Sequence, residues 1–579
     1  MDPVKRFGNL LAADAPLRDA IAIMGSSENN KRIAGIVVVV DASHKVVGVV
    51  TDGDIRRALA HQISLDAPLA KALNPNPLTV NRTLSTQQMR RYVIDEAKRR
   101  KANYMKYDKL ILVEPDGSFF DVIRLSDIME ADFEGKTIAV YGMGFVGLTL
   151  ACTLANAGLR VVGVDTNANL ISRLQKHEAP FYEKGLDSML LLLAQKNPIQ
   201  YVSDIAAAAA DIHIVSVGTP VDGAGKADMS ALEAASRMIA SQLKAGDLVL
   251  FRSTVPVGTI RQIALPVLEK SGLSCGKDFY LAFAPERTVE GNALAELRLL
   301  PQIVGGYDDA SAQMAAKLFR YVTPTIIEVE SLEAAEMVKL INNTFRDLVF
   351  AFANETAQIC EAMNVNAFNL IRAANEGYPR DRIPLPSPGV GGICLSKDPH
   401  LYSQPRLAIS QAPILGKASR QINGQGASNV LRKIEAFAKR SGGPLDSHKL
   451  LLIGLAFKGM PETSDTRGSI ALDLLRQLPK NMQITVKDFV VPAQDIVQLG
   501  YAAETRELDQ AVSEADVILV MNNHYRNNKF NVVQALRMRH SPTLFFDGWS
   551  QFDQREIEAL SHVYYATLGY LTPGEAEKS

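Results

Sequence analysis

Short apolar runs alternate with longer helical patterns from residue 136 onward. Residues 136–141 form an apolar, β-branched run of strand length, and a segment rich in Leu and Ala follows it as far as Asn156. A second apolar run covers residues 160–164 and is followed by Asp165. The order of strand, helix and second strand predicts a parallel βαβ unit.

The last third of the chain repeats this kind of pattern. A second α/β unit begins with the sequence KLLLIGLAFK near residue 449, and a helix is predicted over residues 470–478. Four apolar runs predict its strands, at residues 450–454, 483–487, 516–521 and 543–546. This unit lacks a GxGxxG sequence, so we expect it to hold a nucleotide-containing ligand other than a second dinucleotide.

A long helix is predicted between the two units. Residues 331–363 show an amphipathic and then nearly all-apolar helical pattern, which predicts a helix buried on most sides. We expect this helix to link two domains and to pack against a symmetry mate. Residues 405–443 have the pattern of a connector and a further helix, and the small, charged tail at 572–579 is expected to fray.

The first 130 or so residues contain a diverged internal repeat. Its first copy has a strand at 36–41, a hairpin partner at 45–50 and a helix opened by TDGDIRR. Its second copy has a strand at 110–114, a Pro-Asp-Gly turn and the sequence FFDVIRLSDIM. Asp54 and Asp127 occupy equivalent places in the two copies.

Composition limits the classes of function. A chain of 579 residues is too long for one core, so three or four domains are expected. The formal net charge of −1 gives no electrostatic reason to expect nucleic acid or an anionic membrane as partner. No apolar run approaches the roughly 20 residues that cross a bilayer, and MDPVKRFGNL lacks the apolar core of a signal peptide. The four cysteines lack CxxC spacing, so neither a metal site nor disulfides are expected, and a cytoplasmic enzyme is the resulting expectation.

The junction between the first predicted strand and its helix carries candidate cofactor chemistry. In GMGFVG, Gly142 permits a tight turn, Gly144 lets a pyrophosphate approach the backbone, and Gly147 allows close packing of helix and strand. The helix N-terminus faces the phosphates. Asp165 can accept hydrogen bonds from ribose hydroxyls and disfavours a 2′-phosphate, which predicts NAD rather than NADP. The alternative is a glycine-rich turn in some other α/β protein.

Three further predicted strands deliver polar residues to one rim. Thr219 follows IHIVSV, Thr254 follows LVLF, and the pair Glu286 and Arg287 follows YLAF. The carboxyl ends of parallel strands line the ligand crevice of such sheets. Each residue alone could be a cap or turn residue, but the convergence of three favours a site.

The long helix carries a second candidate group. Lys339 and Asn343 lie four residues apart and hence on one helical face. A lysine at the start of an apolar helix is usually solvated. Paired with an asparagine in a cleft, it could instead stabilise a developing oxyanion.

A glycine-rich loop precedes a single cysteine in SPGVGGICLSKD. Glycines such as Gly391 let a ligand approach the backbone closely. If a helix starts near Cys394, its N-terminal dipole and Lys397 are expected to lower the thiol pKa and to favour the thiolate nucleophile, with Asp398 on the same face. A single cysteine is, however, more often a buried filler. That interpretation fits the remaining three: Cys152, Cys275 and Cys360.

From residue 136 to its end the chain resembles the nucleotide-sugar 6-dehydrogenases of the UDP-glucose/GDP-mannose dehydrogenase family. The resemblance rests on GMGFVGL, VGTP, STVPVGT, APER, EMVKLINNTF, GVGGICLSKD and GLAFK followed by DTR, in the family's order. It implies an α/β fold of two Rossmann-like, doubly wound domains joined by a long central helix. Through TDGDIRRAL the N-terminal repeat resembles a tandem pair of CBS domains, an α+β module outside the basic family architecture.

These resemblances divide the chain into four expected parts. A CBS regulatory module covers residues 1–132, and an NAD-binding Rossmann domain covers 136–328. A central helical and dimerisation region with the cysteine loop covers 329–440, and a C-terminal Rossmann-like domain for the nucleotide sugar covers 441–579. A homodimer or higher homo-oligomer without a metal ion is expected.

The family's chemistry implies a nucleophile and its helpers. That chemistry is a four-electron oxidation of a sugar C6 alcohol to a carboxylate with two NAD+. The resemblance implies that Cys394 traps the intermediate aldehyde as a thiohemiacetal, which becomes a thioester. It also implies that Lys339 and Asn343 stabilise oxyanions and that Thr254 and Asp398 position water or move protons.

Two glutamates and the binding contacts are also implied. Glu286 is a candidate for acid–base chemistry or thioester hydrolysis, and Glu290 lies near a position that is acidic in some members. Cofactor contacts are implied for Gly142, Gly144, Phe145, Val146, Gly147, Asp165, Thr219, Thr254 and Lys397. Substrate contacts are implied for Glu286, Arg287, Lys339, Asn343, Gly391, Lys458 and Arg467.

The CBS resemblance implies a regulatory nucleotide. The Thr and Asp of its motif commonly hold the ribose of an adenine nucleotide, which implies Thr51 and Asp54. The second copy has Arg124 where the first has Thr51, so it departs from the ligand-binding pattern. The alternative is a structural dimerisation module without a ligand.

The substrate branch rests on fewer residues. APERTVEG and PSPGVGG resemble the N-acetylhexosamine branch, whereas CLSKD keeps a lysine before the aspartate as glucose-type enzymes do. The leading hypothesis is a UDP-N-acetylhexosamine 6-dehydrogenase that supplies a uronic acid for surface polysaccharide, with UDP-glucose or GDP-mannose as the alternative substrate. Intact Cys394 and Lys339 argue against a two-electron dehydrogenase and against an inactive nucleotide-sensing regulator.

Overall fold

The computed structural model describes residues 9–25, 35–84, 86–101, 107–125, 128, 133, 135–203 and 210–573. The first of its parts, which we call the N-terminal module, contains two three-stranded sheets. The strands are β1 (Leu10–Leu11), β2 (Ile36–Val40), β3 (Val46–Thr51), β4 (Thr79–Asn81), β5 (Lys109–Val113) and β6 (Phe119–Arg124). The helices are Leu17–Gly25, Asp52–Ala60, Thr86–Arg99 and the 3-10 turn Leu69–Lys71.

The two sheets of the module are built alike. In each, the first strand runs parallel to the second, and the second forms an antiparallel hairpin with the third. Each hairpin has a register shift near its turn. This agrees with the internal repeat predicted from the sequence, although Asp127, the predicted counterpart of Asp54, lies outside the described residues.

An eight-stranded sheet forms the first lobe, in the order β14-β13-β12-β11-β10-β7-β8-β9. Its strands are β7 (Thr137–Tyr141), β8 (Arg160–Val164), β9 (Gln200–Val202), β10 (Ile212–Val215), β11 (Leu248–Phe251), β12 (Tyr280–Phe283), β13 (Gln302–Gly306) and β14 (Ile326–Val329). Its helices are Phe145–Asn156, Ala168–Gln175, Leu186–Lys196, Ser230–Ala240, Leu265–Leu268, Ala293–Leu299 and Asp309–Phe319, with the π-helical turn Ile260–Ala264 and the 3-10 turn Glu269–Ser271.

The strands from β9 to β12 are parallel and doubly wound, with apolar clusters on both faces of the sheet. The added strand β13 runs antiparallel to β12. The pattern of apolar runs predicts β7, β8, β10, β11 and β12 but not β9, β13 or β14. These three lie towards the two edges of the sheet, and β13 ends in two glycines, so their apolar signal is weak.

A helix of 32 residues, Leu332–Met363, leaves the first lobe, and we call it the central helix. One side of this helix is exposed in the single chain, and its burial against a symmetry mate stays a prediction. Phe345, Phe352 and Ile359 are 64%, 56% and 61% exposed and lie along one stripe. Four helices follow it: Ala367–Asn375, Ile393–Tyr402 (the cysteine helix), Leu415–Asn423 and Gly426–Ser441. The other side of the central helix packs against the first three of them.

A seven-stranded sheet forms the second lobe, in the order β17-β16-β15-β18-β19-β20-β21. Its strands are β15 (Lys449–Ile453), β16 (Gln483–Lys487), β17 (Ala502–Ala503), β18 (Val517–Val520), β19 (Thr543–Asp547), β20 (Val563–Thr567) and β21 (Tyr570–Leu571). Its helices are Ile470–Leu475, Ala493–Gln498, Leu508–Glu514, Val532–Arg537 and Gln554–Glu558, with the 3-10 turn Leu445–Ser447.

All strands of this sheet except β21 are parallel, so the second lobe repeats the doubly wound order of the first. The helix predicted over 470–478 ends at Leu475. The loops that follow the strands of the two lobes meet, for example where Lys458 contacts Glu290. No helix that the structure describes is long and apolar enough to cross a membrane.

Candidate active site

The loop between β7 and the following helix has the shape that a dinucleotide needs. Gly142 has a φ of +92°, and a Cβ there would meet the carbonyl oxygen of Ser216 at 2.8 Å. A Cβ on Gly147 would overlap the carbonyl oxygen of Gly142, whereas one on Gly144 would face open space. The helix begins directly after Gly144 without a side-chain cap, so its first N–H groups remain available to a phosphate. These residues therefore fit the pyrophosphate of NAD.

Asp165 stabilises the same loop. One carboxylate oxygen accepts a hydrogen bond of 2.7 Å from the backbone N of Met143, and the other accepts one of 2.9 Å from the backbone N of Asn167. Each oxygen retains a second lone pair, so Asp165 can also accept from a ribose hydroxyl. Phe145 and Val146 form the first turn of the helix beside this loop.

Three residues predicted to contact the cofactor come together beyond β10 and β11. The hydroxyl of Thr219 donates to the carbonyl oxygen of Thr254 at 2.6 Å. Lys397 Nζ donates to the Thr219 hydroxyl at 2.9 Å. Because Lys397 belongs to the cysteine helix, this contact places that helix against the cofactor side of the first lobe.

Cys394 lies in the first turn of the cysteine helix, directly after a close contact with the second lobe. A Cβ on Gly392 would meet the ring of Phe457 at 2.7 Å, and one on Gly391 would overlap the carbonyl oxygen of Gly468. Only glycine permits this approach. The Cys394 thiol is accessible to solvent. The other three cysteines are buried, as expected for filler: Cys152, Cys275 and Cys360.

The pKa of the Cys394 thiol differs from the prediction. Surrounding protein desolvates the thiol and raises its pKa, and this effect exceeds the opposite effect of the charges on Lys339 and Lys397. The prediction of a lowered thiol pKa is therefore wrong for this structure. A thiol that is both accessible and desolvated lies in the wall of a cleft, where Asp398 and Glu290 also raise its pKa.

Lys339, Asn343 and Asp398 belong to this cleft. Lys339 is 6% exposed, and its charge favours the ionised forms of both Cys394 and Glu286. Asn343 Nδ2 donates to Asp398 Oδ2 at 2.5 Å. Asp398 Oδ1 is buried, lies 3.7 Å from Lys397 Nζ and has no hydrogen-bond partner among the described residues, which leaves an acceptor for a substrate hydroxyl.

Glu286, predicted as an acid–base group, is bound by a buried arginine. Its carboxylate pairs with Arg252 and accepts hydrogen bonds of 2.7 Å from the backbone N of Arg287 and of Thr288. Burial alone would raise the pKa of Glu286, but the charge of Arg252 and these hydrogen bonds outweigh burial and lower it. A carboxylate held ionised is a poor proton donor near neutral pH, so these surroundings favour a positioning role.

Glu290 differs from Glu286 because its pKa is raised rather than lowered. Burial, reinforced by the charge of Asp465, raises the pKa of Glu290 to about 7 in spite of the nearby Arg467 and Lys458. Lys458 Nζ donates to the backbone oxygen of Glu290 at 2.7 Å, and Arg467 forms two hydrogen bonds with Asp465, of 2.9 and 2.8 Å. A pKa near 7 suits proton transfer at neutral pH. The two basic residues predicted to bind substrate thus lie beside Glu290 in the same chain.

Two buried groups were missed by the sequence analysis. Arg252 is 1% exposed, and Glu336 of the central helix is equally buried. The Glu336 carboxylate accepts from the backbone N of Gly258 (2.5 Å) and of Ile260 (2.9 Å), in the loop that follows Thr254. Burial raises the pKa of Glu336 to about 8. Glu336 begins the motif EMVKLINNTF and Arg252 directly precedes STVPVGT, but only the fold shows which atoms they bind.

Arg287 and the two residues predicted to bind a regulatory nucleotide, Thr51 and Asp54, contact nearby protein groups. Arg287 donates to the carbonyl oxygen of Pro301, so this bond stabilises the loop, and the predicted contact of Arg287 with substrate stays a prediction. In the N-terminal module Thr51 caps the helix Asp52–Ala60, and its hydroxyl donates to Asp54 at 2.6 Å. The same carboxylate pairs with Arg57.

A doubly wound lobe with a dinucleotide loop, a second doubly wound lobe and a cysteine between them define an NAD-dependent dehydrogenase. Comparison with known proteins extends this class to a family. The three domain models of the UDP-glucose/GDP-mannose dehydrogenase family match the NAD-binding domain at residues 136–323, the central domain at 333–425 and the UDP-binding domain at 451–554. A CBS domain model matches residues 10–61.

Individual relatives agree with these models. A UDP-N-acetyl-D-mannosamine dehydrogenase from Campylobacter jejuni is 34% identical over 403 residues, which are 67% of this chain and 95% of the relative. An NDP-N-acetyl-D-galactosaminuronic acid dehydrogenase from Ralstonia solanacearum is 31% identical over 70% of this chain and 94% of its own. The solved structure of a UDP-D-ManNAc dehydrogenase from Pyrococcus horikoshii matches with a TM-score of 0.66 and 28% identity, over 75% of this chain and 99% of that one. The chain therefore belongs to the UDP-glucose/GDP-mannose dehydrogenase family and is an NAD-dependent nucleotide-sugar dehydrogenase.

Proposed function

We propose that the protein oxidises the C6 alcohol of a UDP-sugar to the uronic acid, in two steps that share Cys394 as covalent nucleophile. The observation that carries the proposal is the position of Cys394 between the lobes, within the field of Lys339, Lys397, Asp398 and Glu290. A released aldehyde would hydrate and escape, so a second oxidation at the same site needs a covalent trap.

The residues take the following roles in this mechanism. NAD+, when bound, accepts one hydride in each of the two oxidations. After the first, the sulfur of Cys394 bonds to the aldehyde carbon and the resulting alkoxide is stabilised by Lys339 and Asn343. After the second, the carbon is a thioester. Water then adds to it, the carbon–sulfur bond breaks, and the acid leaves with Cys394 restored as the thiol.

Glu290 is the group that we assign to proton transfer during hydrolysis. Its pKa of about 7 makes its carboxylate a base at neutral pH, whereas the pKa of Glu286 is held low by Arg252. Asp398 Oδ1 accepts no hydrogen bond among the described residues, although Lys397 Nζ lies 3.7 Å from it, so it can orient the attacking water or the substrate hydroxyl. Lys458 and Arg467 supply positive charge for the diphosphate of the nucleotide sugar.

The sugar that we propose is a UDP-N-acetylhexosamine, of the N-acetylmannosamine type. The names of the relatives in Campylobacter jejuni and Pyrococcus horikoshii support this substrate class. The lysine that favours the glucose branch by sequence, Lys397, donates to Thr219 on the cofactor side. It is therefore a weak argument for UDP-glucose or GDP-mannose. The product would be a uronic acid precursor for surface polysaccharide.

Two further features complete the proposal. The exposed apolar stripe of the central helix, with Phe345 and Phe352, is the surface proposed for pairing with a second copy. The N-terminal module is proposed to bind an adenine nucleotide through Thr51 and Asp54 and to change the rate of oxidation. Binding would replace the contact between these two side chains, or that between Asp54 and Arg57.

The deciding experiment measures NADH released per molecule of sugar across a panel of UDP- and GDP-sugars, each with and without ATP, ADP and AMP. Two NADH per UDP-N-acetylhexosamine is the expected result. One NADH per sugar would contradict the covalent mechanism and indicate a two-electron enzyme. No NADH from any sugar, together with a failure to bind NAD, would favour an inactive nucleotide-sensing regulator.

A further inference from the structure

The N-terminal module contacts the first lobe through an arginine of its second sheet. Arg82 follows β4, and its Nη1 donates to the carbonyl oxygen of Leu299 at 3.3 Å. Its Nε donates to Glu114 at 2.7 Å, and its guanidinium lies 4.0 Å from the ring centre of Phe120. The side chain is only 19% exposed, so these contacts hold it in one orientation.

The carbonyl that Arg82 contacts ends the helix Ala293–Leu299. The last carbonyls of a helix have no partner within it, and a cation there also complements the helix dipole. Three successive carbonyls at this end find partners in three different places. Leu299 accepts from Arg82, Leu300 accepts from the hydroxyl of Thr323 at 3.2 Å, and Pro301 accepts from Arg287. Arg287 directly follows Glu286.

Glu290 lies three residues before the start of this helix. Glu183 accepts a hydrogen bond of 2.7 Å from the backbone N of Gly291, next to the first turn. The backbone N of Val289 donates to Glu296 inside the helix at 2.8 Å. The helix has seven residues, or two turns, and is too short to be stable alone. A loss of contacts at Leu299 is therefore expected to change the conformation at the start of the helix, near Ala293.

We propose that Arg82 is a positioning residue for the active site. Through the helix Ala293–Leu299 it fixes the segment 286–302, and with it the placement of Glu286 and Glu290. The N-terminal module thereby acts on the catalytic loop through this helix, instead of being joined to the enzyme only by the chain between them.

The same contact offers a route for regulation, and this part rests on the proposed nucleotide site. The two sheets of the module are joined where the backbone N of Phe119 donates to the carbonyl oxygen of His44 at 2.9 Å, and that of Val46 to Gly117 at 3.3 Å. Val46 begins β3, which ends at Thr51, and Phe119 precedes the Phe120 that lies under Arg82. A shift of β3 on nucleotide binding therefore reaches Arg82 through the paired hairpins.

The test compares three variants of the full-length protein: Arg82→Ala, Arg82→Lys and the control Arg100→Ala. Arg100 is matched to Arg82, since it also pairs with a glutamate (Glu96, 2.7 Å) and donates to a backbone carbonyl (Asn76, 2.8 Å), but within the module. Hydrogen–deuterium exchange of segment 286–302 is measured without nucleotide. The pH dependence of kcat and the effect of AMP, ADP and ATP on the rate are measured on the same samples.

The expected result is exchange about tenfold faster in segment 286–302 for Arg82→Ala, the loss associated with one charge-assisted hydrogen bond. The acid limb of kcat should move by at least about half a pH unit, because Glu290 changes surroundings. Arg82→Lys should retain part of both properties, and Arg100→Ala should change neither. Where the wild type responds to a nucleotide, Arg82→Ala should bind it but lose the rate response.

Equal exchange and equal pH profiles in Arg82→Ala and Arg100→Ala would overturn the proposal. If Arg82→Ala fails to fold, Glu114→Gln loosens the same arginine without removing it and should give a smaller change of the same kind; no change would overturn the proposal as well. A wild type that binds no nucleotide would contradict the proposed regulation, while the exchange and pH data would still decide the role of Arg82.

Discussion

The two lobes share one strand order but differ at the first junction of strand and helix. In the first lobe β7 ends at Tyr141, and a helix begins at Phe145 after a short glycine loop. In the second lobe β15 ends at Ile453, and the next helix begins only at Ile470. One junction leaves a helix N-terminus beside the sheet for a pyrophosphate, whereas the other sends a long loop away from it.

The acidic residues that follow the second strand of each lobe show the same divergence. Asp165 uses each oxygen once, for Met143 and Asn167. Asp488 accepts backbone hydrogen bonds from Leu455, Ala456, Val490 and Val491. The carboxylate of Asp165 therefore retains lone pairs that can accept hydrogen bonds from a ligand. The carboxylate of Asp488 is instead occupied by hydrogen bonds from the protein backbone.

The loop 454–469 brings the second lobe into contact with the cysteine helix and with Glu290. It places Phe457 against Gly392, Lys458 against Glu290, and Gly468 against the backbone of the cysteine helix. The same topology thus presents a cofactor loop in one lobe and, in the other, a loop that lines the candidate active site. Four experiments test whether the first lobe binds the cofactor while the second lobe contributes residues to the active site.

The largest effect is expected where both lobes meet. Cys394→Ala should lower acid formation by at least about a thousandfold, because no other accessible thiol lies among the described residues. NAD binding should persist, since the glycine loop is untouched. Acid yield and NAD binding by titration are the measurements, with Cys360→Ala as the control for a buried cysteine. Normal acid yield from Cys394→Ala would contradict the covalent mechanism.

A matched pair of glycine substitutions separates the lobes. Gly147→Ala should weaken NAD binding by about a hundredfold or more, because the added Cβ would overlap the backbone of Gly142 in the cofactor loop. Gly454→Ala should lower the free energy of unfolding by about 1 kcal/mol or more, since its φ is +92°. It should leave the affinity for NAD unchanged. Equal losses of NAD affinity in both variants would contradict the assignment of cofactor binding to the first lobe.

The pH dependence of kcat tests the role of Glu290, which lies beside Lys458 and Arg467 of the second lobe. Glu290 has its pKa raised to about 7, so it is neutral below that pH and a carboxylate above it. If it acts as the base, kcat should rise with pH through about 7. Glu290→Gln should lower kcat at pH 8 by about tenfold to a hundredfold and flatten this limb. An unchanged limb in Glu290→Gln would assign it to another group, and Glu286→Gln is the comparison.

The smallest effect is expected from the paired acidic residues. Asp165→Asn should raise the KM for NAD by about fivefold to tenfold and reduce discrimination against NADP, because one ribose acceptor loses its charge. Asp488→Asn should instead lower the free energy of unfolding by about 1–3 kcal/mol, since it serves four backbone donors. Kinetics with both cofactors and chemical denaturation measure the two quantities. A change in NADP use by Asp488→Asn would contradict the comparison.

Local sequence was sufficient wherever a feature depends on neighbours in the chain. The turn at Gly142, the helix after it and Asp165 lie within one βαβ unit, so their spacing alone predicts the cofactor site. The central helix and the capped helix of the N-terminal module were predicted for the same reason. The strands β9, β13 and β14, which lie at or next to the edges of the first sheet, were missed because their short or glycine-containing runs carry little periodic signal.

What the sequence determined by itself is therefore the class of the protein and the residue types of its site, because motifs are contiguous. Tertiary structure decided the electrostatic state of those residues. Cys394 has a raised pKa, Glu286 a lowered pKa and Glu290 a pKa near 7, since burial and partners come from segments far apart in the chain. Packing also uncovered one side of the central helix and placed Arg82 against Leu299. Desolvation and contact between distant segments are properties of the folded chain, and no local pattern encodes them.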